Sequence, residues 1–412
     1  MADIEIRRLQ AGEEQRFIDS VRIPFLDPAT SDNERWTERW IKHLEVDRAW
    51  AAVDAGRFVG NCAIYSLDVS LPAGPGQPCP IVKMGGVTAV GVHPTHRRRG
   101  ILTRLMAEML SDGRARNEPV AGLIASESLI YGRFGFGLAT ESASVTIDSE
   151  HAQMYRPAPE LDLELIDVNE AVKVLPDLYD RHRRTRPGEV HLSPVGWENR
   201  LADDPDDRRG SSGLMIAVCD EGYVAYRAKR DEEPATLIVE NLRGLTDEVE
   251  AGLWQYVFDI DLARTVTSHR RPVDEPLRWR LVDPRQLKMT LDDHLWVRVL
   301  DVAAAFEARG YASEGRLVFD VAAPPVPLAD DAVPGRWVLE AGADGAICRA
   351  AGAGEEADIR LDVTALGALY LGGFPASALA AAGRISEVRP GGVAVADRLL
   401  RSHRSPLTVT GF

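Results

Sequence analysis

The 412-residue chain is 45% hydrophobic, 27% charged and 7% aromatic, a balance that excludes a disordered or fibrous protein and, at roughly 100–200 residues per domain, allows two or three domains. Its net charge of −15 repels phosphate backbones and attracts cations, which argues against a nucleic-acid partner and for a cationic amine substrate. The four cysteines form no CxxC pair, so neither a metal site nor a disulfide framework is expected and a reducing compartment fits.

The opening MADIEIRRLQ has no basic segment leading into an apolar core, and no run of about 18 apolar residues occurs; the expectation is a cytoplasmic protein without a membrane span. From Asp3 to about Asp148, strand-like runs (IEIRRL, RAWAAVD, RFVGNCAIYSL, GGVTAVGV, VAGLIAS, ASVTID) alternate with a helix over about 102–116, which predicts a mixed α/β sheet. The prolines of Tyr155-Arg-Pro-Ala-Pro159 predict a linker, because they can continue neither ladder nor helix. The boundaries set by pattern are 1–155, 156–290 and 291–412.

The middle region contains a strand pair, LMIAVCD and GYVAYRAK, turning near Glu221-Gly222, then ATLIVENL and a helix from Asp247. That order (hairpin, strand, helix) repeats the first region without repeating its residues, and it fits either an internal duplication or an unrelated α+β domain. The last region reads as a strand running into a short helix (LWVRVLDVAAAFEARG), the strands RLVFDVA and RWVLEA, then LDVTALGALYLGG as a strand leading into a helix, and a final helix near 392–401. Its composition names no reaction.

One segment carries chemistry. In Val87-Thr-Ala-Val-Gly-Val-His-Pro-Thr-His-Arg-Arg-Arg-Gly-Ile-Leu102 an apolar strand ends at Val92, Pro94 breaks it, and a basic loop leads through Gly100 into an amphipathic helix. Gly100 permits a tight turn, and the open amides of the helix start with the positive end of its dipole suit a pyrophosphate. Arg97, Arg98 and Arg99 concentrate positive charge on a strongly negative protein, as an anion site requires. The basic run Arg181 to Arg186 has no such frame and reads as a solvated turn.

The run Arg97-Arg-Arg-Gly-Ile-Leu102 resembles the acyl-CoA pyrophosphate loop of GNAT N-acetyltransferases, departing from it at Leu102, where the family carries Gly or Ala. Leu129-Ile-Tyr-Gly-Arg-Phe-Gly-Phe136 resembles the family's tyrosine turn. The nine histidines form no ligand spacing, so no metal is expected; the resemblance implies acetyl-CoA as cosubstrate, main-chain contacts from Val90, Gly91 and Val92, amide contacts from Gly100, Ile101 and Leu102, and Tyr131 as general acid for the departing thiolate. Phe25, Asp27 and Trp36 fall where the family builds its acceptor pocket, and Glu127, just before the tyrosine turn, is a further acceptor-side residue and candidate base.

Taken with a central region lacking a second Arg-x-x-Gly loop and with LDVTALGALYLGG near the end, the whole chain resembles the Eis family. That resemblance implies α/β (mixed α+β) tandem GNAT domains, the second degenerate, followed by a sterol-carrier-protein-like α+β domain. It also implies acetyl transfer to aminoglycosides or other polyamines, a homohexamer, and a terminus folded into the site, so that the carboxylate of Phe412 serves as base. Protein lysine acetylation, or a non-enzymatic protein holding an apolar ligand, are the alternatives.

Overall fold

Strands β1 (Glu5–Arg8), β2 (Ala49–Asp54), β3 (Arg57–Ser70), β4 (Ile81–Val92), β5 (Val120–Ile124) and β6 (Gly137–Leu138) lie in that order in one sheet, with Leu295–Val299 inserted between the last two. The computed structural model describes residues 4–27, 34–230, 234–326, 328 and 331–412. Neighbours pair antiparallel except β4 and β5, which are parallel. Helices α1 (Glu14–Phe25) and α2 (Glu34–His43) cover one face; there Phe17, Ile18 and Val21 meet Ala49, Ala51, Ala63 and Ala89, small side chains that let α1 sit close. Helix α3 (Ile101–Ala115) covers the other. Its Leu105, Met106, Met109 and Leu110 recur at helical spacing and bury against Trp50, Cys62, Ile64 and Val87. The short helix α4 (Ser128–Tyr131) follows β5.

The second sheet holds β7 (Glu141–Asp148), β8 (Glu164–Ile166), β9 (Met215–Cys219), β10 (Gly222–Lys229), β11 (Ala235–Gly244), β12 (Ala263–Arg271) and β13 (Lys288–Asp293), ordered β13-β7-β12-β11-β10-β9-β8. Helices α5 (Val168–Arg183), α6 (Pro194–Leu201), α7 (Asp247–Phe258) and α8 (Leu277–Arg280) accompany it. The predicted hairpin forms, with Gly222 opposite Cys219. β11, α7 and β12 repeat the order β4, α3, β5, parallel strands included, so the sheets are tandem copies of one arrangement. Arg181–Arg186, expected as a solvated turn, is instead the end of α5 and its exit: Arg183 and Arg186 are buried and paired with Asp180 and Asp274 at 2.6 and 2.8 Å.

The sheets do not divide where the sequence pattern does. The run read as the last strand of the first region is β7, whose Ala143, Val145 and Ile147 bury in the second core. The Pro-rich stretch thus lies between two strands of one sheet. The run read as opening the third region is Leu295–Val299, here β14, which pairs with β5 and β6 and covers the edge β5 would otherwise expose. Two compact units result: residues to Thr140 with His294–Pro406 and Thr410–Phe412, and Glu141–Asp293 with Leu407–Val409.

A third sheet, within the first unit, contains β15 (Gly315–Ala322), β16 (Gly335–Gly342), β17 (Gly345–Ala350), β18 (Ile359–Asp362) and β19 (Ile385–Glu387), ordered β17-β16-β15-β18-β19. Its helices are α9 (Val302–Ala308), α10 (Val363–Tyr370), α11 (Ala376–Ala381) and α12 (Gly392–Leu400). Asp362 caps α10 by accepting from the Ala365 amide at 2.7 Å, and every residue of this apolar helix is buried, as a helix without a polar face must be. The interior is filled by Phe306 packed on Phe319 and Tyr370 at 5.5 and 5.7 Å, and by Arg309 donating to the carbonyls of Tyr370 and Leu400 at 2.8 Å. Among the described residues no helix is long and apolar enough to cross a membrane.

Candidate active site

The β4–β5 ladder runs Met84 to Val120, Gly85 to Ala121 and Gly86 to Gly122, and stops there. β4 continues to Val92 along β3, while Leu123 and Ile124 pair with β14. The strands therefore fork at Gly86, leaving one edge of Val87–Val92 without a strand partner among the described residues. A bulge deepens the fork: the β3–β4 register shifts between Asn61 and Ala63, and Ala89 takes φ +53°. The Asn61 side-chain amide donates to the Ala89 carbonyl, and its Oδ1 accepts from Ser20 Oγ at 3.1 Å. Neither residue was singled out from sequence, although a polar Asn61 within an apolar strand is the available signal. Val90, Gly91 and Val92 follow the bulge. A β-carbon on Gly91 would lie 2.5 Å from Pro24 Cγ, so the close approach that Gly91 permits on its side-chain face is that of α1.

After Val92 the chain is anchored at its base and open at its tip. The His93 amide donates to the Val59 carbonyl at 2.9 Å, and buried His96 lies 3.0 Å from Asp54 Oδ2 and 2.7 Å from Thr95 Oγ1. Arg97, Arg98, Arg99 and Gly100 are exposed. Arg98 and Gly100 take φ +62° and +72°, and among the described residues nothing lies within 4 Å of a β-carbon placed on Gly100. α3 then begins without a side-chain cap, so the first-turn amides, those of Ile101 and Leu102 among them, stay available to an anion. Leu102 packs partly buried on the core beneath α3, which leaves its amide unaffected by the departure from a small residue. The matching helix start of the second unit has the opposite character. Thr246 caps it, accepting from the Val249 amide at 3.2 Å, and its first turn carries Asp247, Glu248 and Glu250, which repel phosphate.

Tyr131 ends α4 just beyond β5 and is buried with Leu123 and Phe134, its ring edge-on to Phe136 at 6.3 Å. Burial pushes its phenol above the ordinary value of 10, against a hydrogen bond with Ser126 and with help from the charge of Glu127. A proton is thus retained at neutral pH. Glu127 itself is exposed.

The terminal residue returns to the first sheet. A β-carbon on Gly86 would lie 3.1 Å from Phe412 Cδ2, which puts the Phe412 ring at the apex of the fork. Gly86 pairs with Tyr65, two residues from the Ala63 that packs under α1; by strand alternation the ring lies on the α1–α2 face. The acceptor-side candidates belong to these helices. Asp27 Oδ2 is 3.7 Å from Arg22 Nε and Trp36 lies 5.7 Å from the same guanidinium, so Arg22, unnoticed in the sequence, joins them and partly neutralises Asp27. Phe25 is 47% exposed and Trp36 40%, apolar surface for which the interior has no claim.

Residues 5–139 and 188–299 match GNAT acetyltransferase domain families, and residues 302–409 match a sterol carrier protein domain. An uncharacterised N-acetyltransferase of Streptomyces avermitilis is 34% identical across 99% of both chains, and the N-acetyltransferase Eis of Mycobacterium bovis is 34% identical across 80% of both. The crystal structure of Eis1 from Mycobacterium abscessus superposes with a TM-score of 0.86, at 31% identity over 99% of this chain and 100% of that one. The chain belongs to the Eis family of N-acetyltransferases. Its tandem GNAT domains and sterol-carrier-like domain are those the sequence led one to expect. A GCN5-related N-acetyltransferase from Anabaena variabilis, 18% identical with a TM-score of 0.81, shares this Eis-type fold over its whole length.

Proposed function

We propose that this Eis-family enzyme transfers the acetyl group of acetyl-CoA to a primary amine of a small polycation, an aminoglycoside or a related polyamine. One observation carries the reading: the arginine loop and uncapped start of α3 flank the same β4–β5 fork whose other boundary leads to Tyr131 and whose apex holds the Phe412 ring. The diphosphate of CoA would meet the amides from Gly100 to Leu102 together with Arg97 to Arg99, and the free edge of β4 would take the pantetheine arm. The acceptor nitrogen loses a proton to the Phe412 carboxylate through water, since a carboxylate of ordinary pKa about 3.5 is a weak direct base. The nitrogen attacks the thioester carbonyl, the C–N bond forms, the C–S bond breaks, and the departing thiolate takes the Tyr131 proton, while the acylated nitrogen gives up its second proton through water, which returns Tyr131 to its phenol form. Net charge near −15 and the exposed Phe25 and Trp36 favour a cation with apolar surface.

The test is CoA thiol release across an amine panel that includes an aminoglycoside, a linear polyamine and a lysine peptide. Turnover with the cations is expected, and Tyr131→Phe or removal of Phe412 should each lower it by about 100-fold. Equal rates in both variants and the parent enzyme would refute the assigned roles, and a preference for the peptide would move the substrate class to protein lysines.

A further inference from the structure

The turn that carries Tyr131 is held largely by residues that lie far along the chain. Three successive carbonyls of the turn accept from distant donors. Thr364 Oγ1 on α10 donates to the Gly132 carbonyl at 3.0 Å, the Val326 amide donates to the Arg133 carbonyl at 3.0 Å, and Arg298 on β14 donates to the Phe134 carbonyl. Arg298 is fully buried and is itself fixed by Asp331 at 2.5 Å. The glycines of the turn admit these partners. Gly135 has φ +86°, a β-carbon on it would strike the Arg298 guanidinium, and one on Gly137 would lie 2.5 Å from the Ala368 amide nitrogen. Leu328 packs in the same cluster as Tyr131 and Phe134.

We infer that the sterol-carrier-like domain serves the acetyl transfer as a clamp on the general-acid turn, with Thr364 and Asp331 of that domain as positioning residues, Asp331 acting through Arg298 of β14. Within the domain Phe306 packs on Phe319 and Tyr370, and the buried Arg309 guanidinium donates to the carbonyls of Tyr370 and Leu400. What the domain offers the first sheet is α10. That helix approaches so closely that a β-carbon on Gly367 would collide with the Val297 carbonyl. Backbone carbonyls satisfied from outside the turn leave it little freedom, and a proton donor works only within hydrogen-bond reach of its target. The inference rests on Tyr131 being the acid.

Thr364→Val keeps the side-chain shape and removes the hydroxyl. It should speed hydrogen exchange of amides 132–136 and lower kcat about fivefold, the worth of one hydrogen bond, with the KM for acetyl-CoA unchanged. Thr364→Ser should restore both readouts. In a Tyr131→Phe background Thr364→Val should cost nothing further. Asp331→Asn, which weakens the hold on Arg298 from a separate position, should behave as Thr364→Val does. Unchanged exchange in both variants overturns the clamp. Faster exchange with unchanged kcat overturns its catalytic purpose. Full turnover in Tyr131→Phe alone overturns the acid assignment on which it rests, a result distinct from the other two.

Discussion

Burial acts on the Tyr131 phenol in the direction its proposed task requires. Desolvation disfavours the phenolate, so the acid form persists across and above the neutral range. The sign follows: a phenol whose folded-state pKa lies above its ordinary value of about 10 stays protonated until the pH exceeds that value, so the limb of kcat it controls falls only above pH 10. The same shift contributes stability that is complete below about pH 10 and lost as the pH rises through the folded value. The measurement is kcat against pH for parent and Tyr131→Phe. A limb near pH 8 present in the parent and absent from the variant would contradict the burial account. The residues at this scale divide by legibility. Arg97 to Gly100 announce themselves through the local order of strand, basic loop and helix, and Tyr131 through the resemblance of its turn to that of the family, whereas Asn61, Ser20 and Arg22 gain meaning only from a bulge and a helix contact between segments far apart in sequence.

At the scale of elements, α3 and α7 occupy equivalent places in tandem domains and begin with opposite chemistry. Uncapped amides beside three arginines invite a diphosphate; a Thr cap with three carboxylates in the first turn refuses one. Arg97→Ala is therefore expected to raise the apparent KM for acetyl-CoA by about tenfold, the loss of one charge-assisted contact, with kcat at saturation nearly unchanged. Initial rates at varied acetyl-CoA and fixed amine decide it; an effect confined to the KM for the amine would remove the arginine loop from the CoA site. The helix of this unit, the 215–229 hairpin and the strand-to-helix passage of LDVTALGALYLGG were legible because apolar periodicity and turn residues are local signals. Helices α1, α2, α5 and α6 were not read, their apolar stripes being diluted by charged residues such as those of EQRFIDSVRIPF and ERWTERWIKH.

For the whole molecule the consequential feature is β14. Five residue pairs join it to β5, with Leu295, Val297 and Val299 fully buried, and it arrives more than 150 residues after the rest of its sheet. A fragment of residues 1–155, the unit that sequence pattern suggests, would expose the β5 edge and carry β7 without its partners β12 and β13. Such a fragment should show no cooperative thermal unfolding by circular dichroism, while the full chain does. A sharp transition in the fragment would mean that the first sheet closes without β14.

The amino-acid sequence by itself determined the chemistry on offer: a basic, glycine-ended loop between strand and helix, a tyrosine turn after the next strand, and a negative overall charge. These follow from short-range order, because turn geometry, helix starts and residue charge depend on neighbours within a few positions. Only the tertiary structure decided which sheet owns β7 and β14, that Gly91 makes room for Pro24, and that the carbonyls of the Tyr131 turn are met from α10, β14 and Val326. Each of those is a pairing of surfaces whose members are remote in the chain, where periodicity fixes what a segment buries but not against which partner.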